Sequence, residues 1–257
     1  MYLKSSAAAI QLLKDYSIDD PNEIPLEDLV FSEGAIFEEK PMSGADGRII
    51  FGKTFSIVTI NSNIQNKNKR RFVIAHELGH LKLHRNIQRF FSCDEKAFLE
   101  WHKAGSHESQ ANEFAAELLM PSNLFVSEAS KKKFSIEHIL ELSKVFNTSV
   151  TSTAIRYTDL GTFPIAIVYS QNGEIKWFSR NANFVCKFLR VKERVAENSV
   201  AWQYFKKGDV PKTPTLVLPN VWFKDFQLRS DQYFYEQCFK ITTLNAVLSF
   251  IWPCENF

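Results

Sequence analysis

The sequence predicts an α+β protein made of two successive regions. A histidine-rich helical stretch and a second strong helix follow a short run rich in Ile, Val, Thr and Phe in the first 160 residues. From Phe163 the texture changes to alternating apolar runs, and Asn172-Gly173 lies between two of them, a strong hairpin signal.

Residues 5–17 read as a helix ended by the acidic, proline-containing IDDPNEIP, with another short helix around Leu26 to Leu29. GRIIFGKTFSIVTINSNI reads as two paired strands, with GADG before it and Gly52-Lys53 in its middle. RFVIAHELGHLKLH follows as a helix, then a polar, aromatic loop. SHESQANEFAAELLM is a second helix, with Ser106 as N-cap and Pro121 closing it. Two or three more helices reach about Leu160, including SIEHILELSKVF and SVTSTAIRYTDL, the latter stopped by Gly161. FPIAIVYS and EIKWFSR form the hairpin, AENSVAWQYFKK a helix, and TLVL, QYFYEQCFKIT and AVLSFIW strands. The expected domains are 1–121, a helical, helix-turn-helix-like segment 122–161, and an α+β domain 162–257.

Composition narrows the function classes. At 257 residues with 45% hydrophobic and 23% charged content the chain can bury a sizeable core. A net charge of +2 gives no electrostatic argument for nucleic acid, and the one dense basic run, KNKRR, reads as a solvated loop before a helix. The N-terminal MYLKSSAAAIQLLKDY is too polar for a signal peptide, and no segment reaches the roughly 18 apolar residues of a membrane span. Cys93, Cys186, Cys238 and Cys254 are widely spaced and resemble neither a disulfide framework nor a thiolate zinc site. The expectation is a cytoplasmic protein with reduced thiols.

His76, Glu77 and His80 form HExxH. At about 100° per residue, positions i and i+4 lie roughly 40° apart, so both imidazoles reach one metal ion. Glu77 projects about 100° from His76 and flanks the metal, where it can take the proton of a water on it. A catalytic zinc needs a third protein ligand and one open position. His84 lies about 12 Å along the helix from His76, too far to share the ion, and reads as a packing or supporting residue.

On the second helix Glu108 heads the stripe of Ala111, Asn112, Ala115, Leu118 and Leu119, which is the buried face. A carboxylate there is costly unless it is paired or binds metal. Glu113 and Glu117 fall about 140° and 180° away, on an expected solvent face. The expected set is therefore His76, His80 and Glu108 on zinc, with water in the fourth place and Glu77 as the catalytic base; His107 is a weaker candidate ligand.

RRFVIAHELGHLKLH followed by ESQANEFAAELLMP resembles the ImmA/IrrE family of bacterial and phage-associated metallopeptidases. The upstream IPLEDL segment, DGRI turn and VTIN strand match its layout, and the resemblance covers about residues 5–160. It implies a mostly helical, zincin-like peptidase domain with a small sheet, and a gluzincin-like metallo-endopeptidase with His76, His80 and Glu108 as ligands and Glu77 as acid/base. Zinc is the implied cofactor, with manganese as the alternative. Members typically cleave a helix-turn-helix repressor, derepressing a mobile element or a stress response. Some carry a C-terminal GAF-like sensor domain, which is what the resemblance offers for residues 163–257, where no motif confirms it.

Other readings stand beside these. His102, His107 or a nearby Arg could stabilise the tetrahedral intermediate. FSIVTINSN could take up an extended peptide at a sheet edge. The helices around residues 137–160 invite a DNA-binding reading, but Arg156 is the only cation between Ser149 and Leu160, which argues against direct DNA binding. The aromatic-rich C-terminal region reads as core or as a ligand pocket or dimer face. The competing function is a non-proteolytic regulator that holds structural zinc and acts by binding its partner.

Overall fold

The computed structural model describes residues 2–93, 106–224 and 232–254. Among these, eight α-helices and two sheets form two compact units, one of residues 1–125 with 143–149 and one of 126–142 with 150–257.

The first unit begins with α1 (Tyr2–Asp15) and α2 (Leu26–Ser32). Its sheet comprises β1 (Ala35–Lys40), β2 (Gly47–Phe51), β3 (Ser56–Asn61) and β4 (Phe90–Cys93), in the order β1-β3-β2-β4. β2 and β3 pair antiparallel, as the glycine-punctuated strand signals predict. β1 runs parallel to β3, so both sides of β3 are occupied. This corrects the expectation that FSIVTINSN offers a free edge. Among the described residues the edge beside the histidine helix is β4, which pairs there with β2 alone and lies where the sequence suggests a loop. Four residues ending in Ser92-Cys93 are too few for alternation to mark them.

α3 (Lys67–Leu83) packs its apolar side on the sheet, with Val73, Ile74 and Leu78 joining Ile49, Val58, Ile60 and Phe91 in one core. Asn66 caps it by accepting from the Lys69 backbone N–H at 3.0 Å. The KNKRR run is the first turn of this helix rather than a loop. Its charges are matched: Lys69 pairs with Asp46, Arg70 with Glu27 and Glu39, and Arg71 donates to the Pro21 carbonyl.

α4 (His107–Leu119) starts at the predicted cap, Ser106, which accepts from the Ser109 N–H. It is covered by α3 on one side and α1 on another. That second neighbour overturns the solvent face expected for Glu113 and Glu117. Glu113 accepts from the Ser6 hydroxyl, and Glu117 is 1% exposed and accepts from the Ser122 N–H and hydroxyl at the start of α5 (Ser122–Ala129). A helical wheel on one helix cannot count how many partners surround it.

α6 (Ile136–Val145) and α7 (Val150–Leu160) follow, and Arg156 is buried. The second unit's sheet is antiparallel, in the order β6-β5-β9-β8-β7, from β5 (Ala166–Gln171), β6 (Glu174–Arg180), β7 (Thr215–Val217), β8 (Phe234–Ile241) and β9 (Ala246–Pro253). Asn172 and Gly173 both have positive φ, the backbone a two-residue hairpin turn requires. One face of the sheet carries α8 (Val200–Lys207) over Val168, Val247, Ile251 and Phe234. Phe134 lies against Tyr157, Phe163, Phe250 and Trp252. Among the described residues no helix is long and apolar enough to cross a membrane.

Within this core β8 supplies a fully buried carboxylate, Glu236, which accepts from the Val200 and Ala201 N–H groups at 2.9 Å and from Trp222 Nε1 at 3.0 Å. Burial pushes its pKa up, and the surrounding donors hold it back. Two backbone donors at the start of α8 and the Trp222 indole thus depend on one side chain. Glu236→Ala leaves them unsatisfied in a dry core and should cost about 3–5 kcal/mol, read as a fall in the urea midpoint; an unchanged midpoint would refute the assignment.

Candidate metal centre

α3 and α4 meet at a point of backbone contact. A Cβ added to Gly79 would come within 3.1 Å of the Ala111 Cα and carbonyl oxygen and of the Phe114 ring. Glycine inside HELGH therefore lets the two helices close up, and Glu108 on α4 reaches the histidines of α3.

The result is a cage of four ligand atoms. His76 Nε2 lies 3.0 Å from His80 Nε2, 3.1 Å from Cys93 Sγ and 3.2 Å from Glu108 Oε2. His80 Nε2 lies 3.5 Å from Cys93 Sγ and 3.5 Å from Glu108 Oε1, and Cys93 Sγ lies 3.5 Å from Glu108 Oε2. These separations, with His80 measured to Glu108 Oε1 and the other Glu108 distances to Oε2, describe a compact four-residue cage of the size that bonds of about 2 Å to one ion need. The donor set fits a divalent metal of the zinc type, and it brings together His76, His80 and Glu108.

Cys93 is the member that sequence reasoning missed. Its wide separation from the other cysteines speaks against a thiolate pair, but a single cysteine can join a mixed His/Glu set. Only the pairing of β4 with β2 carries it to the helix face. His107 does not enter the cage; its ring stands 4.8 Å from that of His84 and 5.7 Å from that of Phe91. His102 lies outside the described residues.

Neighbouring side chains fix which nitrogen each histidine presents. His76 Nδ1 meets Asn112 Oδ1 at 2.9 Å, so Nδ1 carries the proton and Nε2 faces the cage with its lone pair. Gln110 Oε1 accepts from His84 Nε2 at 3.2 Å, which leaves His84 Nδ1 to accept from His80 Nδ1 at 2.9 Å. His80 Nε2 is then also a lone pair toward the centre. His84 supports a ligand without being one.

Electrostatics favour the same states. Burial pushes the His80 pKa down to about 3 and that of His84 down to about 4, so both rings are neutral at neutral pH. Burial opposes ionisation of Glu108, but its close approach to His76 and His80 outweighs it and holds the carboxyl well below the usual carboxylate range. Burial, with Glu77 and Glu108 nearby, pushes the Cys93 thiol far up. A divalent cation at the centre would invert that preference and favour the thiolate.

Glu77 is fully buried, and neither carboxylate oxygen has a hydrogen-bond partner of good geometry. Burial raises its pKa to about 8, an effect that contact with the Cys93 thiol moderates and the Glu108 charge reinforces. Space for its carboxylate exists because β2 has Gly47 opposite. A Cβ there would sit 2.5 Å from Glu77 Oε1 and 2.8 Å from Val73 Cγ1.

His76, His80, Cys93 and Glu108 thus form a largely buried group that could hold a metal ion, with the Glu77 carboxylate beside it. Residues 35–158 match the family model described as IrrE N-terminal-like domain, Peptidase_M78. Over that stretch the chain is similar to the family, in agreement with the ImmA/IrrE resemblance, and the match supports a metallopeptidase-like role. "Uncharacterized immunity region protein 2" of Bacillus phage phi105 is 34% identical over 95 residues, 37% of this chain. That match spans 56% of the phage protein's length. A solved structure titled "Mycobacterium tuberculosis transcriptional regulator" has a similar fold, with a TM-score of 0.63 at 13% identity over 97% of this chain and 88% of that one.

The Glu77 shift makes a signed prediction. A carboxyl whose folded pKa lies above its unfolded value, 4.5, stabilises the fold in its neutral form. Its contribution is full below that value and is lost as pH climbs through about 8. Chelated wild type should therefore lose urea stability relative to chelated Glu77→Gln over this window. Parallel pH profiles for the two would refute the assignment.

Proposed function

We propose that this chain is a metal-dependent endopeptidase whose substrate is a helix-turn-helix transcriptional repressor, so that cleavage derepresses mobile-element or stress-response genes. The observation that carries the peptidase part is Glu77. A buried carboxylate without a hydrogen-bond partner of good geometry is costly to ionise, yet it is what a proton carrier beside a metal needs.

In this reading His76, His80 and Glu108 hold the metal, with zinc favoured by the nitrogen-rich, roughly tetrahedral set. When bound, such a cation polarises a peptide carbonyl and makes water acidic enough to attack near neutral pH. Glu77 takes the proton of the attacking water and delivers it to the amine nitrogen as the C–N bond breaks. The His84–Gln110 and Asn112 contacts keep both ligand rings in the required tautomer. The side of β4 that no described strand pairs with suits an extended peptide added as a further strand. His107, near the cage beside His84 and Phe91, is the described candidate for the intermediate's donor.

The repressor substrate rests on the family and on the phage immunity-region relative, whose printed name places that protein in an immunity region. A second reading, a regulator with structural metal that acts by binding, is favoured by one observation: four protein donors surround the centre, as in closed structural sites.

Glu77→Gln separates the two. The expected outcome is one metal retained and cleavage of the repressor encoded beside the gene lost by at least about a hundredfold, read by intact mass. Full biological effect in that variant would refute the peptidase. Gly47→Ala tests positioning, because its methyl displaces the Glu77 carboxylate. Cleavage should fall on the order of 10–100-fold at unchanged metal content. Unimpaired cleavage would mean that the carboxylate's position is immaterial.

A further inference from the structure

Resting on the metallopeptidase reading, we infer that Cys93 is a built-in latch, a thiolate that fills the metal's fourth coordination position and must leave before water can occupy it. Two independent observations meet here. Cys93 Sγ completes the cage with His76, His80 and Glu108, at 3.1–3.5 Å from each of the other three donors. It also contacts the fully buried Glu77 carboxylate, which is where a water awaiting deprotonation belongs.

A four-donor cage is closed, whereas hydrolysis needs an open position, so base and cage contradict each other unless one donor can leave. His76, His80 and Glu108 come from two helices locked together at Gly79 and Ala111. Cys93 comes instead from the last residue of β4, the edge strand among the described residues, held by its pairing with Gly47 and by the Asp46 N–H to its carbonyl at 2.9 Å. Among the described residues it is the donor on the least constrained support. An extended substrate adding to β4 would act on the strand that carries the thiol, so binding and opening are coupled. As the metal enters, the thiol proton passes to solvent; as the latch opens, water replaces the thiolate with no change in oxidation state.

The test uses cobalt(II) titrated into the metal-free full-length chain, with Cys93→Ser and Cys93→Ala alongside and far-ultraviolet circular dichroism confirming that each folds. Wild type should develop a thiolate-to-cobalt charge-transfer absorption that saturates at one ion per chain. Both variants should still bind one ion without that band, with affinity lowered by about tenfold or more, and should cleave repressor faster than wild type. Saturation of wild type without the band overturns the latch; if that protein still cuts, the peptidase reading stands. The band in wild type, with no cutting by wild type or either variant, sinks the latch together with the peptidase reading and leaves Cys93 as a structural ligand. Retention of the band in both variants assigns it to another cysteine and also overturns the proposal.

Discussion

The site depends on the close approach of α3 and α4. Gly79 has no Cβ, and the space saved is occupied by Ala111 backbone and the Phe114 ring. With any larger residue the helices move apart, and Glu108, one turn before Ala111, withdraws from His76 and His80. The same contact buries Asn112 against His76 and Gln110 against His84, so the tautomer-setting residues and the third ligand arrive as one rigid element. Backbone contact between helices is thus what converts a histidine pattern into a coordination geometry.

Burial around that contact creates the electrostatic problem a metal solves. Two carboxyls, three imidazoles and a thiol share a largely dry volume, and the described residues place no cationic side chain among them. Desolvation keeps His80 and His84 neutral and raises Glu77, while the His76 and His80 rings beside Glu108 hold its carboxyl low. So dense a set of buried ionisable groups is costly for folding, the pattern found where binding sites are built. Glu236 in the second unit is the instructive contrast. It too is a fully buried carboxylate, but backbone and indole donors satisfy it, so it has a structural explanation that Glu77 lacks.

Short-range signals in the sequence carried much of the fold. Gly52 in the β2–β3 stretch, the Ser106 cap, Pro121 after α4 and the Asn172-Gly173 turn each act through φ restrictions or through a hydrogen bond within a few residues, so they read directly from the chain. HExxH was legible for the same reason, since helix geometry alone fixes the angle between His76 and His80. Glu108 was legible because an acid on an otherwise apolar stripe contradicts its surroundings.

What the sequence could not contain was the identity of neighbours. Glu117 is half a turn from the α3-facing stripe of α4, but α1 covers that side, and the carboxylate caps the next helix instead of meeting solvent. β3 looks like an available strand until β1 returns parallel to it, a pairing set by long-range topology rather than by either strand. Cys93 is an isolated cysteine until β4 docks on β2 and brings it within 3.1 Å of His76. The sequence by itself determined the histidine pair one helical turn apart, the glutamate between them and the local turns. Tertiary structure decided the fourth donor, the available edge and the fate of each charge, because those depend on which surfaces the folded chain brings into contact.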